Sequence, residues 1–78
     1  MLPPTELQIE TLGAFCDSAR LLNSTAALSR RQAAMVAIVL NRFDWLWDMD
    51  FTIASAITHI GADGLALVCA VEIRYYPN

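Results

Sequence analysis

The sequence predicts an α+β domain, two antiparallel helices followed by a β-hairpin (ααββ), and three observations carry that expectation. Two Ser/Thr-x-x-Gln spacings, Thr5 with Gln8 and Ser29 with Gln32, mark helix starts at which side chain and backbone N–H groups satisfy each other. Beyond Asp50 the chain turns β-branched, with Thr52, Ile53, Ile57, Thr58 and Ile60 ahead of a Val-, Ile- and Tyr-rich end. One hairpin register then sorts large and small side chains onto opposite faces, and a slip by one residue would mix them. A small all-α bundle is the alternative, with 51–60 as a short helix between Asp50 as N-cap and Gly61 as stop.

The first helix is expected over 6–22, directly after Pro3-Pro4. Ile9, Leu12, Phe15, Cys16, Ala19 and Leu22 share one face at 100° per residue, with Glu6, Glu10 and Asp17 away from it. Gly13 leaves room for a neighbouring element. Residues 23–28 are short and polar, as the turn of a helical hairpin requires. Asn23-Ser24-Thr25 matches a glycosylation acceptor, but no secretory signal accompanies it, so it reads as an ordinary loop.

The second helix is expected over 30–47. Ala33, Val36, Leu40, Phe43 and Trp47 form its stripe, and Met35, Ile38 and Val39 make its first turns apolar all round, which places it at the centre of the fold. The unbroken apolar run from Ala33 to Leu40 is far shorter than the roughly 20 residues that cross a bilayer, so no membrane is expected. Strands are expected over 51–60 and 65–76, joined at Ala62-Asp63-Gly64, with Phe51 opposite Tyr75, Ile53 opposite Ile73 and Ile57 opposite Cys69. Their small-residue face, with Ala54, Ala56, Ala66 and Ala70, and an unpaired edge would be covered by a second copy. A homodimer completing the sheet is the consequence.

The totals bound the function. One domain spans all 78 residues, 56% hydrophobic and only 17% charged, which is too few charges to coat a small monomer and points again to self-association or a standing partner. A net charge of −3, with five Arg and no Lys, argues against nucleic acid, whose binding needs clustered positive charge, and favours a partner protein with a basic surface. The first ten residues have neither a basic nor an apolar signal segment, so a cytoplasmic location with reduced thiols is expected.

Asp44-Trp45-Leu46-Trp47-Asp48-Met49-Asp50 is the most unusual local composition. Trp buries a large area at small entropic cost, and flanking carboxylates select Arg- or Lys-bearing surfaces, so Asp44, Trp45, Asp48 and Asp50 are the expected partner-binding residues. Trp47 continues the core stripe and Trp45, two residues earlier, is turned away from it. The competing reading makes the segment core and solvated charge. Asp48-x-Asp50 lacks the glycine and glutamate of a calcium loop, and the cysteines have no ligand spacing, so neither metal nor cofactor is expected. Catalysis would need His59 with Cys69 or Cys16, without any nucleophile motif or oxyanion element. Arg30-Arg31, unfavourable at a helix start, are expected to pair with Glu6, Glu10 or a partner's Asp. The expected function is a non-catalytic protein-binding module that occludes or bridges a partner, as an adaptor, antitoxin or phage-type inhibitor does. A subunit of a larger assembly and a small Cys/His enzyme are the alternatives.

Overall fold

Residues 3–76 are described by a computed structural model, and every regular element among them is a helix: α1 (Glu6–Leu22), α2 (Arg30–Val39), α3 (Phe43–Asp48) and α4 (Ile53–Tyr75). The expected α+β architecture is thereby corrected to a helical bundle, the all-α alternative. The segments expected as strands 51–60 and 65–76 fall, apart from Phe51 and the capping residues Thr52 and Tyr76, within one kinked helix, and a homodimer completed through a sheet has no sheet to complete.

Both Gln capping boxes form. Thr5 Oγ1 accepts the Gln8 N–H at 3.1 Å and Ser29 Oγ accepts the Gln32 N–H at 3.2 Å, each answered by the Gln side chain. A third box, Thr52 with Ser55, starts α4, so Thr52 rather than Asp50 is its N-cap.

The helix stops explain where the expected second helix breaks. Among the described residues three other than glycine adopt positive φ, Asn23 (51°), Asn41 (57°) and Asp50 (60°), and each stands just past a helix. After α1, Ser24 N donates to Ala19 O and Asn23 N to Arg20 O; after α2, Arg42 N donates to Ala37 O and Asn41 N to Ile38 O; after α3, Phe51 N donates to Leu46 O and Asp50 N to Trp47 O. All three are Schellman closures, in which a left-handed residue lets its own N–H and the next one satisfy the last open carbonyls. Asn and Asp are the residues after Gly that tolerate this conformation. The helix expected over 30–47 is therefore α2, a turn at Asn41, and a separate short α3.

α2 and α4 each pack against the other three helices. Ala33, Ala34, Met35, Val36, Ala37 and Val39 of α2 are all buried, and three alanines among them let neighbours approach from several sides. α4 turns Ala56, Ile60, Gly64, Val68 and Val71 inward, at helical spacing. α1 contributes Ile9, Leu12, Cys16 and Ala19. Gly13 lies where Tyr75 of α4 crosses α1, for a Cβ there would stand 2.7 Å from the ring.

α4 breaks once, at Gly61 (φ 73°, ψ −179°), a conformation reserved for glycine. The break leaves the carbonyl of Ile60 outside the helical ladder, and Nη2 of Arg31 donates to it at 3.0 Å. Arg30 does the same at the end of α3, with Nη2 at 2.8 Å from Met49 O and its guanidinium 4.2 Å from the centroid of Phe51. The two arginines sit unfavourably at the start of α2 but favourably at the carbonyl ends of two other helices. Within the chain these bonds to backbone carbonyls stand in place of the expected pairing with Glu6 or Glu10.

Candidate functional site: the aromatic and acidic surface of α3

The turn at Asn41 resets the helical phase, and α3 consequently presents Trp45 and Leu46 to the core, 8% and 1% exposed. Trp47 is 76% exposed and Phe43 48%. Standing four residues apart, these two share the outer side of the helix. The indole expected in the core is thus outside, and the one expected outside is in.

Trp45 is fixed by Arg42, whose guanidinium lies 4.1 Å from the indole centroid. The same guanidinium grips Asp44 through Nε to Oδ1 at 2.9 Å and Nη2 to Oδ2 at 2.7 Å, and reaches Asn23 Oδ1 with Nη1 at 2.9 Å. Hydrogen bonding to Arg42 holds the Asp44 carboxyl below its usual range and the guanidinium above its own. Asp44 is therefore neutralised within the chain. Asp48 and Asp50 are exposed, and among the described residues neither carboxylate has a hydrogen-bond or ion-pair partner. Asp50, Trp47, Phe51 and Thr52 line a cavity of about 210 Å³ where α3 passes into α4. Of the four expected binding residues, Asp48 and Asp50 border the exposed aromatic pair, Asp44 is spent on Arg42, and Trp45 belongs to the core.

The groups that could do covalent chemistry are not assembled. Cys16 is fully buried, and burial pushes its thiol up to about 12. Cys69 and His59 are both exposed on α4 but lie on opposite sides of the Gly61 break, and the His59 ring rests 5.1 Å from that of Phe51. No group of three or more His, Cys, Asp or Glu among the described residues is placed to hold a metal ion. A larger groove, about 300 Å³, runs between α1, α2 and α4 over Leu7, Leu12, Phe15, Met35 and Leu67, with Arg31 at its edge. Comparison with known protein families, curated proteins and solved structures gave no match.

Sequence reasoning missed Phe43 and Trp47 as surface residues because it ran one helix through Asn41. The signal was present: an Asn followed by a charged residue directly after the apolar run is a left-handed stop.

Proposed function

We propose that this chain is a small, acidic, non-catalytic protein-binding module whose contact surface is Phe43 and Trp47 with Asp48 and Asp50. The exposure of Trp47 carries the reading: an indole three-quarters in water, beside a second exposed aromatic four residues away, is a cost to an isolated domain and an anchor at an interface. The free carboxylates supply the sign. Each of the five arginines is engaged within the chain, Arg20 over Tyr76, Arg30 and Arg31 on backbone carbonyls, Arg42 on Asp44 and Arg74 on Glu6. What the surface offers a partner is thus negative charge around an apolar centre, which fits a protein presenting Arg or Lys about an apolar pocket.

The test is a pull-down from the source cell with wild-type and Trp47→Ala baits, followed by titration of the captured partner. Trp47→Ala is expected to weaken binding by about 2 kcal/mol or more, and Asp48→Asn with Asp50→Asn to weaken it further with a loss of salt dependence, all at unchanged thermal stability. Capture of the same partners with undiminished affinity by Trp47→Ala would place the contact surface elsewhere.

A further inference from the structure

The groove between α1, α2 and α4 has a polar end and an apolar end. Gln8 and Arg31 also line, with Leu67 and Asp63, an adjoining cavity of about 240 Å³ that Leu12, Phe15 and Met35 do not reach, so these two side chains stand together at one mouth of the groove. Gln32 belongs to the same first turn of α2 as Arg31. Met35 follows one turn on along α2, and Leu12 and Phe15 follow one and two turns on along α1. The polar end is built of hydrogen-bond donors. Oε1 of Gln8 accepts the Thr5 N–H at 2.8 Å and Oε1 of Gln32 accepts the Ser29 N–H at 3.0 Å. Both capping boxes thus consume the acceptor of the amide and leave its NH2 group without a partner among the described residues. Arg31 spends Nη2 on the Ile60 carbonyl; among the described residues its Nη1 and Nε are unbonded, and no carboxylate forms an ion pair with it.

We propose that this groove binds a small aliphatic carboxylate, its head group on Arg31, Gln8 and Gln32 and its hydrocarbon chain laid over Leu12 toward Phe15 and Met35. The planar donors of a guanidinium match the two oxygens of a carboxylate, and the amide NH2 groups add donors beside them. The positive dipole ends of α1 and α2 favour the same sign of charge. From Leu7 to Phe15 the groove follows α1 for about 12 Å. Its volume of about 300 Å³ stands at the lower bound of small-molecule sites, so a chain of medium length fits and a long-chain lipid does not. A peptide with a free C-terminus would bring the same head group. Its backbone N–H groups would need acceptors, however, and beyond the hydroxyl of Thr11 the wall past the polar end is apolar. The net charge of −3 opposes any anion, yet among the described residues Asp63 is the single carboxylate lining either cavity, and it lies outside the groove itself. This inference rests on none of the residues of the α3 surface.

Titration of the isotope-labelled chain with octanoate at neutral pH, followed by heteronuclear NMR, reads the site residue by residue. Saturable shifts are expected at the amides of Gln8, Thr11, Phe15, Gln32 and Met35 and at the Nε–H of Arg31. Octanol and octyltrimethylammonium keep the tail and change the head, and each is expected to bind at least about tenfold more weakly, with acetate silent over the same range. Gln8→Glu with Gln32→Glu is the decisive variant, because glutamate serves a capping box as glutamine does and suits a helix start better. It exchanges the free amide donors for carboxylate oxygens, so octanoate affinity is expected to fall by at least about tenfold while the melting temperature holds or rises. Asp63→Asn is expected to tighten binding, and Trp47→Ala to leave it unchanged. The proposal is overturned by wild-type chain without saturable shifts in the groove, by octanol binding as tightly as octanoate, or by a folded double variant that binds octanoate undiminished. Tighter binding of N-acetyl-leucyl-leucine than of octanoate would overturn it in favour of a peptide C-terminus.

Discussion

Trp45 and Trp47 differ by two positions and by nearly everything in their surroundings. That two indoles so spaced on a helix must face opposite ways follows from 100° per residue and is readable from the sequence. Which of them faces inward depends on the phase of α3, and that phase is set by a single left-handed residue, Asn41, rather than by the apolar stripe of α2. Truncating the buried indole removes core contacts and strips Arg42 of its platform, so Trp45→Ala is expected to cost about 3 to 5 kcal/mol in urea unfolding. Trp47→Ala is expected to stay within about 0.5 kcal/mol, the range of ordinary surface substitutions. Acrylamide quenching separates the two in the native state: the Trp47→Ala variant should keep a protected emission and the Trp45→Ala variant an accessible one. Equal costs and equal quenching would contradict the burial described for α3.

At the scale of elements, both ends of α1 and the start of α2 were legible, and the stop of α2, the separate α3 and all of α4 were not. Thr5, Gln8, Ser29 and Gln32 announce their helices because both partners of a capping box are named by local sequence. α4 was hidden for a physical reason: its inward stripe uses Ala56 and Gly64 beside Ile60, Val68 and Val71, while the large Ile53, Ile57, Leu65 and Ile73 point out. Reading the large residues as core produced an alternation that mimics a strand, and β-propensity yields to such packing context. Gly64, taken for a turn residue, is an interior helix position where a side chain will not fit. A Cβ there would stand 2.8 Å from Ile60 Cβ and 3.0 Å from Arg31 Nη2. Ala is favoured over Gly in a helix by about 1 kcal/mol, whereas overpacking costs about 1 to 3 kcal/mol, and here it also displaces the guanidinium that closes the Gly61 break. Gly64→Ala is therefore expected to lower stability in thermal and urea unfolding. A stabilised variant would mean that Arg31 moves aside without loss.

The whole molecule is tied together by its arginines. Arg42 links the end of α1 to α3, Arg30 and Arg31 link the start of α2 to the end of α3 and to the middle of α4, and Arg74 in the last turn of α4 holds Glu6 in the first turn of α1. A guanidinium serves such links better than an ammonium, since its planar donors can bond a carboxylate or carbonyl while its face lies on an aromatic ring. The Glu6–Arg74 tie joins the two ends of the described chain and makes stability depend on pH in a defined direction. Hydrogen bonding to Arg74 lowers the Glu6 carboxyl below its ordinary value, and Arg42 does the same to Asp44. A carboxyl with a depressed folded-state pKa binds fewer protons in the native than in the unfolded chain, so its contribution is complete above the unfolded value, about 4. It is lost as pH falls through the lower, folded-state value. Both pairs are exposed, so the effect is small and screened by salt. Melting temperature is therefore expected to be insensitive to these two groups between pH 7 and about 5 and to decline below pH 4. In Glu6→Gln with Asp44→Asn the starting melting temperature should be slightly lower and the acid decline shallower, because the native state no longer has those protons to resist. Parallel acid profiles for the two proteins would mean that neither carboxyl is held in its pair in solution, and that α1 and α4 are joined by core packing alone.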